Sequence, residues 1–514
     1  MNTVPLTTTR TRRSIEVGPG RTVPEWLLLT LVCVGQFMVV LDISIVNVAL
    51  PSIQHDLHFD TAGLQWVVNA YTLTFAGFLL LGGRAADIFG RRRLFITGLV
   101  VFTVASAIGG LSQSQTMLIG ARALQGFGAA ILAPATLTIL TATFSEGPSR
   151  ARALGVWSAV ASAGASAGAL LGGILTDFLS WRWILFVNIP IGLVALVFAR
   201  RYLPESRADI EHRHLDVLGA VTVTGGLVAL VYAIVRTQTY AWGTAQTLVP
   251  LSVAIVLLST FIWVQSRSRA PLVLLRIFRS RSVTGGNLVM LLLFSAMFGS
   301  WYFETLYMQR VLGFSPLQAG LAFLPQTLLI AAGAQVTARL VTRLGPRPLI
   351  VAGTLVGAGG LAWLSRITPT STFLPDLLGP FVMIGLGMGL AVTPVTVAGT
   401  SGVAPADAGL ASGLLNTSRT VGASIGLATL ATLAANHSAA LLSGSSHLSR
   451  AAAITDGYTL ALVVSAGILV VAGAVGLGTL PSLRSARVRQ MQPRAAVPDD
   501  DLAGDERPAV AESV

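Results

Sequence analysis

Fourteen apolar blocks, each about as long as a helix that crosses a bilayer, decide most of what this chain can become. A hydrocarbon core of roughly 30 Å needs about 20 apolar residues in helical form. Such blocks lie at 26–50, 64–86, 94–113, 116–141, 151–175, 181–200, 214–235, 246–266, 284–307, 317–340, 347–365, 376–400, 407–435 and 457–480. They are continuously apolar rather than alternating, so the expectation is an all-α polytopic membrane protein and not a β-barrel. Of 514 residues, 53% are hydrophobic and 11% charged, where a soluble domain carries roughly 25% charged. That stock cannot cover a water-facing surface, and the block pattern excludes a disordered or fibrous chain. The connections between blocks are short, which leaves no room for a soluble catalytic or nucleotide-binding domain.

All 34 basic side chains are Arg. Without Lys there is no P-loop or Schiff-base lysine, so ATP hydrolysis by this polypeptide is not expected. The single cysteine, Cys33, lies inside an apolar block and has no intrachain partner. His55 with His58, and His212 with His214, lack acidic or thiol company at zinc-like spacing, and no metal site is expected. With both tails placed inside, 27 Arg fall on inside segments and five outside (Arg182, Arg236, Arg310, Arg366, Arg450), with Arg122 and Arg419 inside helices. This positive-inside bias predicts an even number of spans and two cytoplasmic termini in a cell (plasma or inner) membrane. Residues 1–25 and 481–514 are expected to be cytoplasmic tails, polar and disordered, with no signal peptide.

The chain matches itself. GRAADIFGRRRLFITG (83–98) aligns with ARLVTRLGPRPLIVAG (338–353) at an offset of 255, pairing Arg84, Gly90, Arg92, Leu94 and Gly98 with Arg339, Gly345, Arg347, Leu349 and Gly353. At an offset of 258, Gly155, Gly164 and Gly168 meet Gly413, Gly422 and Gly426. AGLQWVVNAYTL (62–73) similarly parallels AGLAFLPQTL (319–328). Three matches in order predict a duplicated six-helix unit: a bundle over 26–200, a linker over 201–283 with two inserted helices, and a second bundle over 284–480. Secondary transporters are built this way, with a site between the repeats. The run GLGMGL (385–390) follows no strand and reads as helix packing rather than a dinucleotide loop.

The motifs carry a resemblance. GRAADIFGRRRLF (83–95) resembles the loop motif of the major facilitator superfamily, in which a carboxylate and arginines form a conformational latch. Here that implies Asp87 with Gly83, Gly90, Arg91 and Arg92; the plainer reading is a basic anchor at the membrane surface. LDISIVNVALP (41–51) resembles the signature of the 14-span drug:proton antiporter branch (EmrB/QacA type). Asp42 is mid-helix, where a carboxylate is costly unless protonated or paired, so it is either the proton carrier or a static packing acid. LIGARALQGFGAA (118–130) resembles the branch's fourth helix, with Arg122 as a buried charge whose natural partner is Asp42. GVWSAVASAGASAGALLGG (155–173) is similar to the antiporter motif of the fifth helix: Gly155, then Gly164, Gly168 and Gly172 on one stripe, with Gly173 beside it. Ala169 stands where that motif carries Pro, which puts a proline-dependent bend in doubt. WRWILFVNIPIG (181–192), WYFETLYMQRVLGFSPLQAGLAFLP (301–325) and SGLLNTSRTVGASIG (412–426) resemble further helices of the branch. Glu304 departs from it. By the repeat offset it corresponds to Asn47, and it reads as a second proton site, a cation-binding group or an interfacial acid, with Arg419 as a possible partner.

The resemblance spans 26–480 and implies two six-helix bundles plus two inserted helices. It also implies proton-coupled export of drug- or antibiotic-like molecules by alternating access, driven by the proton gradient with no cofactor. Asp42, Glu304 and Arg122 would serve proton coupling. Asn47, Asn69, Tyr71, Trp157, Trp301, Phe303, Tyr307, Asn416 and Arg419 are candidates for one large pocket taking hydrophobic, often cationic substrates; each also has an ordinary structural reading. The expected partners are a small molecule, protons and the lipid bilayer, with no nucleic acid, and the expected state is a monomer. A proton symporter importing a nutrient is the alternative. An intramembrane enzyme would need a reactive constellation within the helices, and no His lies in any helix interior.

Overall fold

The computed structural model describes residues 14–18, 21–207, 214–268, 271–404, 407–443 and 449–480; the expected C-terminal tail, 481–514, lies outside them. Fourteen helices are long and apolar enough to span a membrane: α1 (Glu25–Leu57), α2 (Thr61–Phe89), α3 (Arg91–Gly110), α4 (Gln115–Thr143), α5 (Pro148–Phe178), α6 (Trp183–Tyr202), α7 (Val217–Arg236), α8 (Ala245–Arg267), α9 (Arg281–Val311), α10 (Pro316–Leu344), α11 (Pro346–Leu364), α12 (Phe373–Gly399), α13 (Ala408–Ser443) and α14 (Arg450–Thr479). Most outrun their apolar blocks, because polar residues cap the ends. Asp60 accepts from Gly63 N at 2.6 Å, and Ser315 with Gln318 forms a reciprocal capping box at the start of α10.

The N-terminal tail departs from expectation. Ser14–Gly18 (β1) and Arg21–Pro24 (β2) pair antiparallel, with Ile15 opposite Val23, and β2 runs directly into α1. β-branched residues (Ile15, Val17, Thr22, Val23) favour extended backbone there, and Val23 is buried.

Packing repeats as the sequence does. In the first bundle α1 packs on α5, α2 and α3 on α4, and α3 on α6; in the second, α9 packs on α13, α10 and α11 on α12, and α11 on α14. The matched glycines explain this. Gly90 (φ 112°) and Gly345 (φ 81°) each join two helices without a loop, in a backbone region that disfavours other side chains. A Cβ on Gly98 would come within 2.7 Å of Leu132 N on α4, and one on Gly353 within 2.7 Å of Gly387 O on α12. Gly164 and Gly168 lie against α1, and Gly422 and Gly426 lie against α9 in the same way.

The bundles meet along two seams related by the same exchange, α2 with α13 and α5 with α10. Thr72 Oγ1 and Ser424 Oγ share a hydrogen bond of 2.6 Å across the first. The inserted α7 packs on both α2 and α13, and Gly77 gives Thr224 room to approach. α8 packs on α7 and exposes an apolar face, with Val256 62% and Trp263 60% accessible, as suits a lipid-facing helix.

Candidate functional site

The first bundle closes around a charge. Asp42 on α1 is fully buried, and Arg122 on α4 is 2% exposed. Arg122 Nη1 donates to Asp42 Oδ2 at 2.5 Å, Gln125 Nε2 donates to Asp42 Oδ1 at 2.6 Å, and Asn188 Nδ2 adds a bond at 3.2 Å. Arg122 is itself held by Val67 O at 3.0 Å and Gln125 Oε1 at 2.6 Å, and its guanidinium lies over the Tyr71 ring, 4.5 Å from the centroid. Ser106 on α3 accepts from Gln125 and Asn188. Five helices therefore contribute to one ionic cluster. Burying two charges is tolerable only with such full hydrogen bonding. The pairing of Asp42 with Arg122 matches the sequence reading; Gln125, Asn188 and Ser106 were not singled out there. Neutral polar residues are common in membrane helices, and only position 125 within the Arg122 motif hinted at a role.

The second bundle holds its acid differently. Glu304 on α9 is 3% exposed. With its amide oriented to satisfy both neighbours, Gln326 on α10 donates to Glu304 Oε2 at 3.2 Å and accepts from Trp301 Nε1 at 3.3 Å. Glu304, Phe303 and Tyr307 border a narrow void closed by Leu377, Phe381 and Tyr458. Among the described residues no cation pairs with Glu304. Arg419, the partner considered from sequence, instead places its guanidinium 5.2 Å from the Phe294 ring centroid. The two lie on different helices, and Glu304 is sealed into the α9–α10 contact, which keeps them apart.

The latch motif is tied to its own bundle. Asp87 pairs with Arg91 at 3.3 Å. Arg91 N donates to Ser206 O, Arg92 N to Glu205 Oε1 and the Arg92 side chain to Arg200 O, while Arg93 lies 3.5 Å from Glu205. Glu205, just beyond α6, is a partner that the motif alone did not reveal. Gly90 is where Glu205 approaches, and a Cβ there would clash with its carboxylate at 2.4 Å. Gly83 sits beside Pro134.

The glycine stripe of α5 lies on the helix that carries Asp42. Gly164 faces Phe37 and Leu41, Gly168 faces Ser44 and Leu41 O, and Gly172 faces Ile45 O. Gly173 points the other way, toward Pro316 and Leu317 of α10, while Gly155 has nothing within 4 Å of where its Cβ would be. Near Gly173 the bundles are joined. Gly320 meets Ala169 O, Ser315 Oγ donates to Asp177 at 2.9 Å, and Gln309 Nε2 of α9 donates to Val48 O of α1 at 2.7 Å. These contacts all lie at the end bearing the α1–α2, α5–α6 and α9–α10 connections. Toward the other end, Val156 on α5 and Val336 on α10 are exposed.

The nine pocket candidates do not form a single wall. Tyr71 belongs to the Asp42 cluster, and Phe303 and Tyr307 to the Glu304 void, with Tyr307 Oη donating to Thr368 O at 2.6 Å. Trp301 serves Gln326, and Trp157 Nε1 donates to Thr136 Oγ1 at 3.2 Å. Asn47 Nδ2 donates to Ile43 O, and Asn69 is wholly buried with its amide unpartnered. Asn416 and Arg419, both on α13, retain exposure. Aromatic and amide side chains pack into helix contacts as readily as they line cavities, and sequence cannot separate the two uses. No group of His, Cys, Asp and Glu suited to a metal occurs among the described residues.

The model of the Major Facilitator Superfamily matches residues 32–427. The chain is 46% identical to the cephamycin export protein CmcT of Amycolatopsis lactamdurans over 79% of this chain and 84% of that one. It is 40% identical to the puromycin resistance protein pur8 of Streptomyces alboniger over 87% and 89%. Its fold resembles a solved bacterial homologue of the human lysosomal transporter Spinster, with a TM-score of 0.62 at 17% identity, covering 88% of this chain and 96% of that one. Family match, relatives and twinned bundles agree, and this multi-pass membrane protein belongs to the Major Facilitator Superfamily of transporters.

Proposed function

We propose that the chain exports antibiotic- or drug-like small molecules in exchange for protons, as a monomer in the cell membrane with both termini cytoplasmic. The observation that carries this reading is the Asp42 cluster and its place on α1. Asp42 is the acid end of a sealed ion pair. Six residues along the same helix, roughly 9 Å by helical rise, Val48 O is bonded by Gln309 of the opposite bundle. A proton taken by Asp42 removes its charge-assisted bond to Arg122, and α1 can then move against the smooth face of α5. In the outward-open state that proton comes from outside, and the movement re-forms the Gln309 and Asp177–Ser315 contacts. Its release inside restores the Asp42–Arg122 pair and readies the protein for cargo, so proton and cargo bias one equilibrium in opposite directions.

With the termini cytoplasmic, the end joined by Gln309–Val48 and Ser315–Asp177 faces outward, as in the state that receives cargo from the cytoplasm. Export is supported by the names of the relatives, an export protein and a resistance protein. The positive-inside distribution of Arg supports the orientation.

The test uses the full chain in liposomes under an imposed pH gradient, with puromycin and a cephamycin as trial cargo. Wild type is expected to move one of these uphill and to stop when an uncoupler collapses the gradient. Transport at one rate with or without the gradient overturns the proton coupling; movement of neither compound overturns the substrate reading.

A further inference from the structure

On the strength of the export reading, we infer that Arg419 is the charge-recognition group of the cargo site and selects amphipathic organic anions, typified by an aromatic carboxylate. The sequence reading pointed the other way, to cations, because two acids lie in the membrane. The structure removes both from contention: Asp42 is fully buried in an ion pair, and Glu304 is 3% exposed and sealed into the second bundle. Neither can meet a cationic cargo without first leaving its setting.

Arg419 is placed to meet an anionic cargo. Contacts assign the faces of α13. Gly413 and Ser424 face α2; Ser418, Gly422 and Gly426 face α9; Thr432 and Ala428 face α7. At 3.6 residues per turn the remaining sector carries Ser412, Asn416, Arg419 and Ala423, and it lies between α2 and α9, turned to the interior between the bundles. Along this sector Asn416 is exposed, Arg419 partly exposed and Ala423 3% exposed, so the interior closes one turn beyond Arg419. The guanidinium forms no ion pair and no hydrogen bond among the described residues; its neighbours are the Phe294 ring, 5.2 Å from the centroid, and the Tyr71 phenol of α2.

A cation at the head of an interior space, unneutralised by the protein, is neutralised by what enters. A carboxylate matches the planar guanidinium fork, Asn416 one turn below offers an amide, and Phe294 offers an apolar flank for an aromatic body.

Binding to purified full-length protein in detergent tests this, with naphthaleneacetate, its uncharged amide and the cation ethidium as probes. Wild type is expected to prefer naphthaleneacetate. Arg419→Gln is expected to weaken it about ten- to 100-fold, the range of a lost charge-assisted hydrogen bond, and to leave the amide unchanged, which also reports that the variant is folded. Arg419→Lys keeps part of the preference. If Arg419→Gln binds neither naphthalene compound, the Lys variant decides: anion over amide supports the site, and equal binding overturns it. Wild type that prefers ethidium, or an anion affinity indifferent to position 419, also overturns it. Transport in liposomes separates the two readings. Arg419-dependent binding without uphill transport leaves this site standing and removes the exporter; uphill export of ethidium alone does the reverse.

Discussion

Asp42 and Arg122 are each other's condition for being buried. Removing one partner leaves an uncompensated charge, which costs about 3–5 kcal/mol in a buried pair. Arg122→Ala is therefore expected to lower the melting temperature of the purified protein sharply. Arg122→Ala combined with Asp42→Asn is expected to recover much of that loss, a non-additivity that a double-mutant cycle of thermal shifts measures. Asp42→Asn alone keeps Gln125, Asn188 and an uncharged partner in place. It should fold, abolish uphill efflux and leave downhill exchange of cargo, a split that counterflow experiments detect. Sequence revealed the two ends of this pair because any charge in hydrocarbon demands a reason. It did not reveal Asn188 or Ser106, whose contribution depends on three-dimensional convergence. Glu304 shows the opposite outcome. An acid and an arginine at membrane depth suggested a pair, but each has found a different neutral setting, a glutamine amide for one and an aromatic ring for the other.

Among the helices, the packing of α5 on α1 sets how the coupling helix can move. A side chain at Gly168 would press on Ser44 Cβ at 2.6 Å and Leu41 O at 2.9 Å. Gly168→Val is expected to cost about 1–3 kcal/mol by overpacking and to abolish drug tolerance in a growth assay. Gly155→Ala faces open space and should leave tolerance near wild type; equal damage at both positions would deny the stripe its role. The helices themselves were readable, because long apolar blocks in a bilayer permit little else. Their true ends were less so: caps such as Asp60 and Ser315 carry helices past the apolar limit, and the hairpin before α1 hides in a segment whose composition reads as a tail. The duplication was readable wherever glycine was obligatory. Gly90 and Gly345 share a backbone turn, and Gly98 and Gly353 share a close approach. Gly155 and Gly413 match in sequence without sharing an environment.

Taken whole, the molecule is joined firmly at one end, and that end must part if transport proceeds by alternating access. Cysteines at Asp177 and Ser315, in a Cys33→Ala background, are expected to cross-link under mild oxidation or with a short bifunctional reagent. The cross-link should halt transport reversibly, as read by cargo uptake before and after reduction. Continued transport in the cross-linked protein would place the moving parts elsewhere.

The two seams differ in one respect. α7 lies over the α2–α13 seam, and Thr237 and Gln238 just past its end bond to Asn436 and Thr432 of α13, whereas among the described residues no helix covers the α5–α10 seam in this way. A door with a strap along one jamb swings from that jamb. The rocking of the two halves should thus be lopsided, small along the strapped side and large along the bare one. Spectroscopic distance labels on α5 and α10 should separate further through the cycle than labels on α2 and α13.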